Sequence, residues 1–142
     1  RSKHTYYFFH LITPISGQKF SALSQRYKYP TPNGNQAMPS KQRFSSWVQS
    51  VSVIRNMCAH NSRIYNRAIS TAPELTTLDQ ITPKPQYTGL YEVILAMKYL
   101  RPSDAVWTQF VADLNALFTK YAGIFEYSRI NFPADWANHF VI

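Results

Sequence analysis

The chain has 142 residues and a mass near 16.5 kDa, room for one domain. Its hydrophobic share of 45% excludes wholesale disorder, no apolar run approaches the roughly 20 residues of a membrane span, and one cysteine, Cys58, excludes an internal disulfide framework and a cysteine-rich zinc site. Fifteen Lys/Arg against seven Asp/Glu leave a net charge of +8, which favours a polyanionic partner.

In chain order, residues 5–12 (Thr-Tyr-Tyr-Phe-Phe-His-Leu-Ile) are apolar and aromatic and read equally as strand or helix; Pro14 and Gly17 break the pattern. Phe20, Leu23 and Tyr27 predict a short helix within 18–28. Residues 30–39, with Pro30, Pro32, Asn33, Gly34, Asn35 and Pro39, carry loop chemistry. Ser40 caps a helix running to about Cys58, whose apolar face is Phe44, Trp47, Val48, Val51, Ile54 and Cys58. Residues 70–88 are irregular around Pro73, Pro83 and Pro85. A helix follows from about Leu90 to Leu100. Ser103 caps another that runs to about Ala122, with Val106, Trp107, Phe110, Val111, Leu114, Leu117, Phe118 and Tyr121 on one face and Gly123 as its stop. The run Asn131-Phe132-Pro133-Ala134-Asp135-Trp136 reads as a turn with aromatic anchors. No strand alternation is convincing and no repeat is present, so the expected fold class is all-α, a small bundle with two long loops.

The charge is unevenly placed. All seven acids lie at or beyond Glu74, so residues 1–73 carry +10 and the remainder −2. A carboxylate-free basic half gains most from a phosphate backbone, and the interleaved Tyr6, Tyr7, Tyr27, Tyr29 and Tyr65 offer rings for unpaired bases. The other reading is that sequence outside this chain supplies acids to pair with that surface.

On a helical wheel Arg55 falls near the centre of the apolar arc formed by Phe44, Val48, Val51 and Cys58. A guanidinium there needs a partner, which is an acid of the second half such as Glu92 or Asp113, another subunit, sequence outside this chain, or a bound anion. Five residues on stands His60. An imidazole can take a proton from a ribose 2′-hydroxyl or protonate a leaving 5′-oxygen, and arginine can neutralise charge on the scissile phosphate. Such cleavage needs no metal, and no carboxylate or histidine cluster has metal-ligand spacing. An isolated Arg and His at this spacing also arise by chance, with Arg55 ion-paired and His60 a solvated helix end.

The run Arg55-Asn56-Met57-Cys58-Ala59-His60-Asn61-Ser62-Arg63-Ile64-Tyr65-Asn66-Arg67 resembles the signature of the Abi-like abortive-infection proteins of bacteria, AbiD/AbiF type, within the HEPN superfamily. Leu90-Tyr91, Trp107 and Phe132-Pro133-Ala134-Asp135-Trp136 are similar to downstream family elements, with Asn131 where the family has glycine. The resemblance covers roughly residues 42–137, and residues 1–40 match only loosely. On this reading the chain is a single HEPN-like domain fragment, residues 1–142 with a core at 41–137, and the C-terminal portion of a longer protein.

The resemblance implies an all-α HEPN-like helical bundle, often a homodimer with a composite active site. The implied activity is metal-independent endoribonuclease action in phage defence or toxin-like growth arrest, without a cofactor. By carry-over Arg55 and His60 are catalytic with Asn56 in support. Asn61, Arg63, Tyr65, Asn66 and Arg67 orient the site, pack or bind RNA. Alternatives are a non-catalytic module for a structured or small regulatory RNA, and a domain that docks on an acidic antitoxin-like partner. The expected location is the cytoplasm, with no membrane contact.

Other residues read structurally. Cys58 is expected as a small buried side chain. Trp47, Trp107 and the 103–122 stripe are expected in the core, and Trp136 locks the bundle end. His4, His10 and His139 have no evident site.

Overall fold

Ser40 begins the first long helix for the expected reason: its backbone is extended and its Oγ accepts the Arg43 N–H at 3.1 Å, satisfying an amide that the helix leaves unpaired. The structure, a computed structural model, describes residues 17–82 and 84–142, with backbone only for 17–20. The strand-or-helix alternative for 5–12, the break at Pro14, and His4, His10 and Pro83 lie outside the described residues.

Helix α1 spans Gly17–Ser24, shorter than the 18–28 expected. A two-residue antiparallel ladder follows, β1 (Tyr29–Pro30) with β2 (Gln36–Ala37), pairing Tyr29 with Ala37 and Pro30 with Gln36. The ladder lies within the predicted loop and closes a turn at Gly34, whose φ of +77° suits glycine. Then come α2 (Lys41–Ala59), a 3-10 turn at Thr77–Asp79, α3 (Leu90–Leu100), α4 (Asp104–Lys120), a second 3-10 turn at Tyr127–Ile130, and α5 (Trp136–His139). Ser103 caps α4 through Val106 N–H, and Gly123 follows its end with φ +81°. The molecule is all-α with long loops, as expected. No helix among the described residues is long and apolar enough to cross a membrane.

Helix α3 is the axis of the core. Tyr91, Val93, Ile94, Leu95, Ala96 and Tyr99 are all buried, on every side of the helix. Ala96 and Tyr99 meet Phe44 and Trp47 of α2, where Trp47 stacks on Tyr99 with ring centroids 5.2 Å apart. Val93 meets Ile54 and Ile69. Tyr91, Ile94 and Leu95 meet Trp107 and Phe118 of α4 together with Ile130, Phe132, Trp136 and Phe140. The expected aromatic anchors at 132 and 136 are thus core residues, and Phe140 joins them.

Buried polar groups tie the loops to this axis. Lys98 Nζ binds Asp79 Oδ1 at 2.8 Å and donates to the His139 carbonyl at 2.9 Å. The other Asp79 oxygen accepts from Thr76 and Tyr99. Burial, reinforced by Asp79, holds the Tyr99 phenol above its ordinary range, so it remains a donor. Trp47 Nε1 donates to the Glu74 carbonyl at 2.9 Å, and the Glu74 N–H returns to Ser46 Oγ at 2.9 Å. His139 has a defined environment that sequence reading missed. Its Nδ1 faces the Tyr91 hydroxyl and its Nε2 lies 3.4 Å from Asp135.

Three side-chain expectations need correction. The buried face of α2 is Phe44, Trp47, Ser50 and Ile54, turned by roughly 60° from the predicted arc. Ser50 explains the difference: its hydroxyl bonds the Ser46 carbonyl at 2.8 Å, so a residue counted as polar is fully buried. Arg55 is therefore exposed and not at the centre of a packed face, and Cys58 is exposed rather than buried. Both stand on the last turns of α2, where Arg55, Cys58, Ala59 and His60 are all open to solvent. On α4, Trp107 and Phe118 are buried, but Val106, Leu117 and Tyr121 are exposed, because only one side of the broad apolar stripe meets the core.

Candidate functional site

The signature run straddles the end of α2. His60 is the C-cap, with its N–H on the Asn56 carbonyl at 3.1 Å. The chain then reverses through a Schellman turn: Asn61 N–H donates to the Cys58 carbonyl at 3.1 Å and Ser62 N–H to the Met57 carbonyl at 2.8 Å. Asn61 takes φ +49°, a conformation asparagine tolerates better than most residues. Its left-handed backbone thus reverses the chain directly after the His60 cap.

Residues 61–69 form a strap with inward anchors and outward cations. Ile64 packs at the cluster of Ile54, Ile69 and Val93, and Ile69 N–H donates to the Thr88 carbonyl at 2.7 Å. Tyr65 meets Phe125 edge-on with centroids 6.3 Å apart, and its hydroxyl accepts the Glu126 N–H at 3.1 Å. Asn66, at φ +53°, donates its N–H to the Arg129 carbonyl at 3.2 Å. Arg63 and Arg67 are exposed between these anchors.

The acids that might have neutralised these cations are engaged elsewhere. Glu74 pairs with Arg43 at 2.8 Å, Asp79 with Lys98, Asp104 with Arg101, Glu126 with Arg129 and Asp135 with His139. Asp113 accepts from Gln109, and Glu92 accepts from Gly89 N–H and Asn131. Neither Glu92 nor Asp113 is the partner of Arg55. Among the described residues, Arg55, Arg63 and Arg67 form no ion pair. Arg55 has one long hydrogen bond, from Nη1 to Asn56 Oδ1 at 3.4 Å.

The structure therefore brings Arg55 and Asn56 together, and places His60, Asn61, Arg63 and Arg67 in sequence around one reversal of the chain. No hydrogen bond joins Arg55 to His60 among the described residues. Nor does any group of three or more His, Cys, Asp and Glu stand together there as a metal cage. Chemically, the run offers exposed guanidinium groups for an anion and an exposed imidazole. Sequence reading did not find Phe125, Glu126 and Arg129, which hold the strap. Their distance from it along the chain leaves no local signal.

No curated protein and no solved structure matches the chain. The downstream elements around Leu90, Trp107 and Trp136 lie outside the family match, which begins well before residue 41 and so takes in part of the segment that the sequence matched only loosely. Over residues 7–66, less than half of the chain but including the run from Arg55 to Asn66, it matches the model of the family described as Abi-like protein, and that match supports placing it with the Abi-like proteins.

Proposed function

We propose that this chain is a metal-independent endoribonuclease of the abortive-infection type, with a HEPN-like fold, acting in phage defence. The observation that carries the proposal is charge left over. Every acidic side chain has a partner other than Arg55, Arg63 and Arg67, and these three stand exposed, with His60, in the run from Arg55 to Arg67. Solvent-facing arginines that form no ion pair are suited to phosphate, and the exposed imidazole in the same run of the chain supplies proton transfer.

In this reading the RNA 2′-oxygen attacks the adjacent phosphorus and the bond from phosphorus to the 5′-oxygen breaks. The 2′-hydroxyl proton leaves to a base and a proton reaches the departing 5′-oxygen. His60 serves one of these transfers, and Arg55, steadied by Asn56, offsets charge on the phosphoryl oxygens. The products are a 2′,3′-cyclic phosphate and a 5′-hydroxyl. Two chains supply two such motifs to one cleft in the homodimer, which provides both acid and base.

Purified Arg55→Ala and His60→Ala variants are expected to lose RNA cleavage by at least about a hundredfold, while their unfolding midpoints stay close to the parent because both side chains are exposed. A 2′-deoxy substitution at the scissile nucleotide should abolish cleavage. Unchanged rates in both variants overturn the assignment, as does complete loss of activity on chelation.

A second reading, RNA binding without cleavage, is favoured by one observation: Arg55 reaches Asn56 and not His60. RNA affinity that falls steeply with salt, with no cleavage of any RNA tested, selects it. Absence of nucleic-acid binding at low salt points instead to an acidic protein partner of antitoxin type.

A further inference from the structure

We infer that Tyr65 and Asn66 are positioning residues that lock the arginine-bearing strap onto the Glu126–Ile130 turn, so that Arg63 and Arg67 are presented to RNA at a fixed place relative to Arg55 and His60. This deepens the proposed function and rests on it for the RNA.

The strap leaves α2 at Asn61 and has little secondary structure of its own to hold it. Four attachments do so. Two face the body of the fold: Ile64 at the Ile54–Ile69–Val93 cluster, and Ile69 through its N–H on Thr88. The other two converge on one distant turn: the Tyr65 ring and hydroxyl on Phe125 and Glu126, and the Asn66 N–H on the Arg129 carbonyl. Arg63 and Arg67 bracket this second pair, each two residues from Tyr65. A long, flexible arginine on a loose strap would spend ordering entropy on every phosphate it bound, and a pinned strap removes much of that cost.

Tyr65 is exposed enough to be mistaken for a ring that stacks on a base. Its contacts argue otherwise. The ring already meets Phe125 in a T-shaped pair, and the hydroxyl is an acceptor for a backbone amide rather than a free group. Phe125 in turn packs against Phe118 and Tyr127, so the strap is registered to the α4 core through a chain of rings. The turn itself is held by Phe132 N–H on the Tyr127 carbonyl at 3.1 Å and by buried Ile130.

The test compares Tyr65→Phe, Tyr65→Ala and Phe125→Leu with the parent chain by amide hydrogen exchange without RNA, and by RNA affinity and cleavage. Tyr65→Phe keeps the ring and removes only the acceptor. Exchange at Glu126 is expected to rise roughly five- to tenfold, the equivalent of one lost hydrogen bond, with exchange in α3 unchanged. In Tyr65→Ala the Asn66 amide should also open, RNA affinity should fall by about tenfold or more, and Phe125→Leu, which alters nothing on the strap, should shift affinity in the same direction. A stacking role predicts the reverse pattern: exchange at Glu126 and Asn66 unmoved in both Tyr65 variants, and Phe125→Leu without effect on RNA. That pattern overturns the inference. If the parent chain neither binds nor cleaves RNA, the functional reading fails, and with it the role in presentation, while the exchange data still decide whether the strap is pinned.

Discussion

Asn131 shows how one position can carry two constraints. Its φ of +63° is a conformation that favours glycine. Asparagine tolerates it and adds what glycine lacks: Nδ2 donates to the Tyr87 carbonyl and to Glu92 Oε1, both at 2.8 Å. Glu92 is buried and also accepts the Gly89 N–H at 2.8 Å, capping the start of α3. Asn131 comes so close that a Cβ on Gly89 would stand 2.8 Å from Asn131 Cγ. Asn131→Gly should destabilise the fold by about 1–2 kcal/mol through the lost hydrogen bonds, and Asn131→Ala by about 1 kcal/mol more through backbone strain, as read by urea unfolding.

Glu92 makes the same junction sensitive to pH. Burial raises its pKa above the ordinary 4.5, and the hydrogen bonds it accepts, including those from Asn131 and Gly89, pull the other way without cancelling the effect. In the window above pH 4.5 the folded state therefore holds more protons than the unfolded state. The contribution of Glu92 is fully present below that pH and is lost as pH rises through the raised value. Glu92→Gln removes this slope. It also leaves an amide N–H facing another donor, so it should destabilise at every pH. Its deficit relative to the parent should be largest near pH 4 and shrink toward pH 7 in matched denaturation curves.

At the scale of an element, α2 is held by its start and aimed by its end. The Ser40 hydroxyl on Arg43 N–H is the cap, and Ser40→Ala is expected to cost about 1 kcal/mol, measured as a lower unfolding midpoint. Between the ends, Trp47 contributes both area and a hydrogen bond, to the Glu74 carbonyl, so the irregular 70–88 segment is attached to the middle of the helix. Past Ile54 the helix keeps Met57 on the core, while Arg55, Cys58, Ala59 and His60 on its other side are open to solvent. The rotated buried face is what turns Arg55 from a buried ion into a solvent-facing one. The wheel placed Arg55 among apolar neighbours because it weighed side chains by type. The fold chose Ser50 instead, since a serine that bonds its own helix backbone is small and satisfied.

At the scale of the molecule, the basic half keeps its excess charge because folding spends the acids on other tasks. Asp79 is a buried example. With Lys98, Thr76 and Tyr99 it fastens the first 3-10 turn to α3, and Lys98 extends the network to the His139 carbonyl near the C-terminus. Breaking such a pair strands a buried charge. Lys98→Met should therefore cost about 3–5 kcal/mol, checked by denaturant titration, far more than the loss of the exposed Arg101–Asp104 or Arg129–Glu126 pair. Tyr91 closes the same end of the bundle. Burial holds its phenol above the usual range, so it stays protonated; its hydroxyl pairs with His139 Nδ1, and the Nε2 side of that ring faces Asp135.

Helix positions were legible in the sequence where the signal was local. Ser40 and Ser103 as caps, the apolar periods of α2, α3 and α4, and the stop at Gly123 depend on residues within a turn or two of one another. The charge asymmetry and the run from Arg55 to Arg67 belong to the sequence by itself for the same reason. The tertiary structure alone decided which side of each stripe is buried, that every acid is engaged away from Arg55, and that Tyr65 and Asn66 rest on a turn some sixty residues downstream. Periodicity states that a helix has an apolar side and roughly how wide it is. Where on that side a partner lands depends on contacts between distant segments, which leave no local trace in the order of residues.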